Sequence, residues 1–84
     1  EVGAVDRAIQ RFAYRLRELR RERGLTQEQL ADLIDCAPSL ISYYEKAERE
    51  PGFNNILALS KVFGETPDYL MGVTDYRSLK KIAN

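Results

Sequence analysis

The sequence predicts an all-α fold, a compact domain of five short helices sharing one core. Three observations predict it. Apolar residues recur at intervals of three and four along most of the chain. Helix punctuation is dense: Thr26 and Thr66 stand where helices should start, and Gly24, Gly64 and Gly72 where they should stop. No segment alternates apolar and polar residues as a half-buried strand would, and there is no internal repeat or low-complexity tract.

The first helix carries Ile9, Phe12, Leu16 and Leu19 at helical spacing, with Ala8 and Ala13 alongside. Arg23 and Gly24 close it, a basic last turn followed by a glycine in the C′ role. On a helical wheel most of its arginines face outward. Arg20 instead lies at the border of the apolar face, close to Ile9 and Ala13, so its charge requires a partner. The second helix opens on "TQEQ": Thr26 is an N-cap and Gln29 sits at N3, the pattern of a capping box. It runs from Gln27 to about Ile34, with Leu30, Ala31 and Ile34 inward. The third runs from Pro38 to about Lys46. Pro38 suits the first helical position because its missing N–H would have no acceptor there. Ile41 and Tyr44 point inward, with Glu45 beside them, while Tyr43 points outward. Leu33 and Leu40 are expected at the surface. The fourth spans about Phe53 to Phe63 on Ile56, Leu59 and Phe63. In "ETPDYLMG", Thr66 caps a last short helix, Pro67 starts it and Gly72 ends it. These boundaries divide the chain into an N-terminal extension (1–8), one domain (9–72) and a tail (73–84). Leu79 and Ile82 give the tail weak helical spacing, compatible with a linker or a dimer contact.

Composition narrows the function. At 84 residues with 44% apolar content, the chain has room for one small globular domain. No apolar run reaches spanning length, so no membrane association is expected. The sequence shows no signal peptide, and it lacks an initiator Met, as a processed or excised piece of a longer protein would. Its single cysteine, Cys36, cannot form an internal disulfide and fits a reducing, cytoplasmic setting. There is no histidine, no Gly-rich phosphate loop and no nucleophile elbow. Neither an enzyme nor a cofactor or metal is expected.

Charge is unevenly spread although the net is zero. Residues 7–23 hold seven Arg against two Glu, net +5. Residues 24–69 hold eight acids against Lys46, Arg49 and Lys61, net −5. A segment of +5 can attract a polyanion, or it can be a solvated helix face.

The second and third helices are joined by only Asp35, Cys36 and Ala37, and neither is long enough to be stable alone. Two such helices on a short turn form a helix-turn-helix arrangement. The stretches "LRELRRERGLTQEQLADLI", "LISYYEKAEREP" and "ILALSKVFGETPDYLMG" cover about residues 12–72. In order and spacing they resemble the phage repressor and Cro type of DNA-binding domain, the XRE family. The resemblance implies a repressor-like fold and binding of double-stranded DNA by a bacterial or phage transcriptional regulator. It implies a repressor bound as a homodimer to a palindromic operator, with the third helix in the major groove.

Carried over by position, the resemblance assigns base contacts to Pro38, Ser39 and Tyr43, with Ser42 beside them. It assigns phosphate contacts to Thr26 and Gln27 at the start of the second helix and to Lys46 at the end of the third. Arg17, Arg21 and Arg49 are further phosphate candidates. Gln27 has an alternative role, bracing the recognition helix. An ion pair between Arg20 and Glu45 is implied, which answers the wheel's demand for a partner.

The sequence departs from the family at three turn positions. Asp35 and Ala47 stand where glycine is usual, and Ala37 where a serine or threonine cap is usual, a loss of about 1 kcal/mol. The recognition helix also offers no Arg, Asn or Gln in its first two turns, so no bidentate base reader. Specificity would then lean on DNA shape and apolar contact. Residues 26–49 hold five acids against Lys46 and Arg49, net −3, which opposes binding to phosphate. These features suit an alternative, a protein-interaction or antitoxin-like module on the same fold. A protein partner would follow from that reading, while the tail's Leu79 and Ile82 are compatible with a linker into a C-terminal sensing domain.

Overall fold

The computed structural model describes residues 4–77, and these form helices and turns only. In chain order the helices are α1 (Ala4–Glu22), α2 (Gln27–Leu33), α3 (Pro38–Glu45), α4 (Phe53–Phe63) and α5 (Pro67–Leu70). Leu79 and Ile82, and with them any helix in the tail, lie outside the described residues.

α1 is the spine. One side packs on α3 and another on α5, while α2 packs on α3 and α4 on α5. Phe12, Leu16 and Leu19 of α1 meet Leu30 and Ala31 of α2, Ile41 and Tyr44 of α3, Ile56, Leu59 and Phe63 of α4, and Leu70 of α5. Each large apolar side chain removed from water in this way contributes about 1.5–3 kcal/mol. That shared core is what stabilises α2 and α3 at seven and eight residues. The Tyr44 ring stands edge-on to Phe12, centroids 5.5 Å apart, and its hydroxyl accepts from Asn55 Nδ2 at 2.9 Å. The only polar atom of Tyr44's side chain is thereby satisfied inside the fold.

α1 starts at Ala4 rather than after the expected extension of residues 1–8. Residues 4–8, "AVDRA", contain no Gly or Pro to stop a helix that the core nucleates further along. Leu40, expected at the surface, is half-buried and packs against the core. A two-turn helix held on two sides, by α1 and α2, buries a wider face than a simple wheel suggests. Leu33 is exposed, at 58%.

The helix ends share one closure. At α1, Leu25 N donates to Arg20 O (3.1 Å) and Gly24 N to Arg21 O (3.0 Å). At α2, Cys36 N donates to Ala31 O (3.0 Å) and Asp35 N to Asp32 O (3.3 Å). At α3, Glu48 N donates to Tyr43 O (2.9 Å) and Ala47 N to Tyr44 O (3.1 Å). This is the Schellman arrangement, which puts the C′ residue in the left-handed region. Gly24 and Gly64 are there with φ near 65°, and Gly72 with φ 80°. Asp35 (φ 59°) and Ala47 (φ 60°) are there too, without being glycine. Both of these flank α3.

Candidate nucleic-acid interface

α3 is held from below by a three-residue clamp. Arg20 Nε donates to Glu45 Oε2 at 2.6 Å, and Arg20 Nη2 to Glu45 Oε1 at 3.0 Å. Gln27 Nε2 donates to the same Oε1 at 3.1 Å, and Arg20 Nη1 donates to Leu25 O at 2.8 Å. The Glu45 side chain is 5% exposed and that of Arg20 13%. The Arg20 pKa is raised, first by its hydrogen bond to Glu45 and despite partial burial, so the cation is secured. α1, α2 and α3 are thus tied at one point. Of the two roles open to Gln27, the bracing one is visible in the geometry, and its side chain is committed to Glu45.

The outer surface of the two-helix unit follows from that anchoring. Pro38, Ser39 and Tyr43 are exposed on α3 and Ser42 is half-exposed beside them. Thr26, exposed at the start of α2, makes both halves of a capping box with Gln29: its Oγ1 accepts from Gln29 N at 3.0 Å and its N donates to Gln29 Oε1 at 2.9 Å. Lys46 is exposed at the other end of α3. Ala37 makes no side-chain cap, so Pro38 alone shapes the start of α3. Cys36 is half-buried, its thiol pKa raised by burial and then by Asp35, which makes it a poor nucleophile. Arg49 leaves the turn after α3 and lies over the Tyr43 ring, its guanidinium carbon 5.2 Å from the centroid.

The arginines of residues 7–23 divide into two groups. Arg11 donates to Gly72 O, Arg15 to Tyr69 O and Thr74 O, and Arg23 to Val62 O and Phe63 O. These acceptors are carbonyls at or just beyond the ends of α4 and α5, where helix dipoles favour a cation. Arg15 also stacks on Tyr69 and pairs with Asp75. The outward-facing cations expected from the wheel are therefore fewer: with Arg20, four of the seven are used inside the domain. Arg17 and Arg21 have no such partner among the described residues. At i−3 and i+1 from Arg20 they stand roughly 60° and 100° around the helix from it, on the same side.

Charge bookkeeping on the interface changes in the same way. Glu45, one of the five acids counted between residues 26 and 49, faces Arg20 and not solvent. The surface around α3 is less acidic than its composition implies. A second carboxylate, Glu65, is buried at 4% and receives Arg77 Nε at 2.9 Å, while Arg77 Nη1 and Nη2 each reach Glu22 at 3.0 Å. Nothing in the sequence singled out these three residues, which lie far apart along the chain.

Among the described residues no helix is long and apolar enough to cross a membrane. An apolar cleft of about 240 Å³ opens between the first half of α1 and the segment after α3, lined by Ile9, Phe12, Pro51, Ile56 and Met71. It bears one carboxylate, Glu50, at its rim and no constellation for acid–base chemistry.

Known proteins resemble the chain over this same region. A family model described as helix-turn-helix matches residues 16–70, more than half of the chain. The uncharacterized HTH-type transcriptional regulator YobD of Bacillus subtilis (strain 168) is 36% identical over 64 residues, 76% of this chain and 57% of that protein. Repressor protein C2 of Salmonella phage P22 is 37% identical over 57 residues, 68% of this chain and 26% of that protein. The chain therefore spans little more than half of the first relative and about a quarter of the second. Among solved structures, the restriction-modification controller protein C.AhdI from Aeromonas hydrophila superposes with a TM-score of 0.68 at 37% identity. That match covers 74% of this chain and 94% of the controller protein.

Proposed function

The chain belongs to the helix-turn-helix family of phage-repressor (XRE) type, a family of transcriptional regulators and not of enzymes, and from that premise we propose that it reads a palindromic operator as a two-fold dimer. Half-sites would lie about one helical turn apart, roughly 34 Å. Repression by occluding a promoter is the action proposed, in keeping with the name of the phage P22 relative. Such a regulator works in the cytoplasm, where its DNA is.

One observation carries the reading. The Arg20–Glu45–Gln27 clamp holds α3 by its inner face and leaves Pro38, Ser39 and Tyr43 outward, with Thr26 and Lys46 exposed to either side. In this reading Pro38, Ser39, Ser42 and Tyr43 meet base edges. Thr26, Gln27 and Lys46 meet phosphates, Gln27 through its backbone N–H at the free end of α2. Arg17 and Arg21 extend the phosphate track along α1.

The test is binding-site selection from a random duplex library, followed by affinity measured against salt. A recovered palindrome is the expected result. Lys46→Ala should weaken binding to every sequence and lower the slope of log K against log salt by about one. If Lys46→Ala leaves both affinity and slope unchanged, the docking geometry is wrong. The second reading, a protein-interaction module, draws on exposed Leu33 beside the acidic stretch. It predicts an affinity for its partner that barely responds to salt, because apolar contact releases no counterions.

A further inference from the structure

The recognition helix has no bidentate reader in its first two turns, yet a guanidinium stands beside its exposed aromatic ring. We propose that Arg49, stacked on Tyr43, is the specificity-determining residue of this domain: it reads a guanine next to a thymine read by Tyr43. This rests on the DNA-binding reading above and goes beyond it, since the sequence makes Arg49 only a candidate for phosphate.

The placement follows from the backbone. Ala47 in the left-handed region reverses the chain, and Glu48 N closes onto Tyr43 O at 2.9 Å. The segment leaving α3 therefore passes back beside Tyr43, and Arg49 lies over the ring at 5.2 Å. Tyr43 is 41% exposed and Arg49 is exposed, so the stack sits on the outer surface of α3 and not in the core. Arg49 has no hydrogen bond or ion pair among the described residues, and its donor edge is uncommitted. Stacking on an aromatic face restrains the guanidinium while leaving all five N–H donors available.

The chemistry selects the ligand. A planar guanidinium fork matches O6 and N7 of guanine in the major groove, and a Tyr ring packs on the thymine methyl. Successive bases rise by about 3.4 Å along a strand, and the Arg49 guanidinium carbon lies 5.2 Å from the Tyr43 centroid. With Tyr43 against a thymine, a guanidinium at that distance from its ring is within reach of the neighbouring base pair. A phosphate would need only the positive charge of Arg49. A guanine needs the fork, and the two demands separate by substitution.

The experiment is site selection with the 84-residue chain and the variants Arg49→Lys, Tyr43→Phe and Tyr43→Leu, each shown by circular dichroism to keep its helix content. The expected wild-type site carries a thymine–guanine step in each half. Arg49→Lys, which keeps the charge and loses the fork, should cut the preference for that guanine about 10-fold while non-specific affinity stays within about two-fold. Tyr43→Leu should do the same by removing the platform, and Tyr43→Phe should keep the guanine preference. An unchanged guanine preference in Arg49→Lys would overturn the inference and leave sequence-specific binding standing. If the wild-type chain enriches no sequence, the DNA reading itself falls, and this inference with it.

Discussion

The clamp beneath α3 and the strap that fastens residues 72–77 are built from the same groups at different depths. In the clamp, one carboxylate and one guanidinium face each other almost out of water, with Gln27 completing the arrangement. In the strap the depths are mixed: Arg77, a third exposed, bridges exposed Glu22 and fully buried Glu65, and Arg15 pairs with Asp75, whose side chain is 91% exposed. A buried pair contributes less net stability than its geometry suggests, because both ions were desolvated to form it. What it does contribute is intolerance of any other arrangement. An exposed pair contributes little and tolerates rearrangement. The pair buried on both sides therefore sits where a helix must be oriented, and pairs open to water on at least one side sit where a segment need only be kept in place.

The largest effect that would test this comparison comes from stranding one half of the clamp. Glu45→Ala should destabilise the domain by about 3–5 kcal/mol in urea unfolding, because the Arg20 charge is left half-buried without its partner. For a domain whose total stability is of order 5–15 kcal/mol, that is close to unfolding it. Replacing both partners, Arg20→Met with Glu45→Leu, should recover most of the loss, since no charge remains to desolvate. If the double variant is as unstable as the single one, the pair is a net source of stability and the contrast with the strap is mistaken. Next in size is Arg77→Ala, at roughly 1.5–3 kcal/mol, of which only the part from exposed Glu22 should shrink as salt is added, since the bond to buried Glu65 is little screened. A cost equal to that of Glu45→Ala would put the strap in the same class as the clamp.

Much of this was legible in the sequence, and the residues show why. Every helix was marked by its own punctuation: Gly24, the Thr26–Gln29 box, Pro38, Gly64, and Thr66 with Pro67. Those signals act within a few residues, so a local reading finds them. Arg20 was legible because a cation at the border of an apolar stripe is costly unless paired, and the wheel alone demands a partner. Its identity as Glu45 came from family resemblance, because the wheel shows only one helix. The uses of Arg11, Arg15 and Arg23 were not legible. Their acceptors are backbone carbonyls, which every residue has, and only the packing of α4 and α5 against α1 brings particular ones within reach. Glu65 was hidden for a related reason: a carboxylate just after Gly64 looks like loop surface until Arg77, twelve positions on, turns back to meet it. Leu40 was misplaced because the wheel of a two-turn helix does not show that two neighbours cover it.

The smallest effect concerns the two left-handed turns that bracket α3, and it separates what orients the helix from what merely ends it. Asp35 and Ala47 hold φ near 60°, a region costing a residue with a Cβ about 1 kcal/mol relative to glycine. Ala47→Gly should therefore stabilise the domain by up to about 1 kcal/mol, raising Tm by roughly 4–8 °C in a chain of this size. Asp35→Gly should give less, because Asp tolerates the region better than Ala. Glycine favours the conformation already present, so neither substitution moves the backbone, and the clamp still fixes the face that α3 presents. The base preference recovered by site selection should then be the same as that of the unsubstituted chain. Should Ala47→Gly raise Tm and blur the selected sequence, α3 is oriented by the stiffness of its closing turn. The Arg20–Glu45 pair would then be one support of α3 among several.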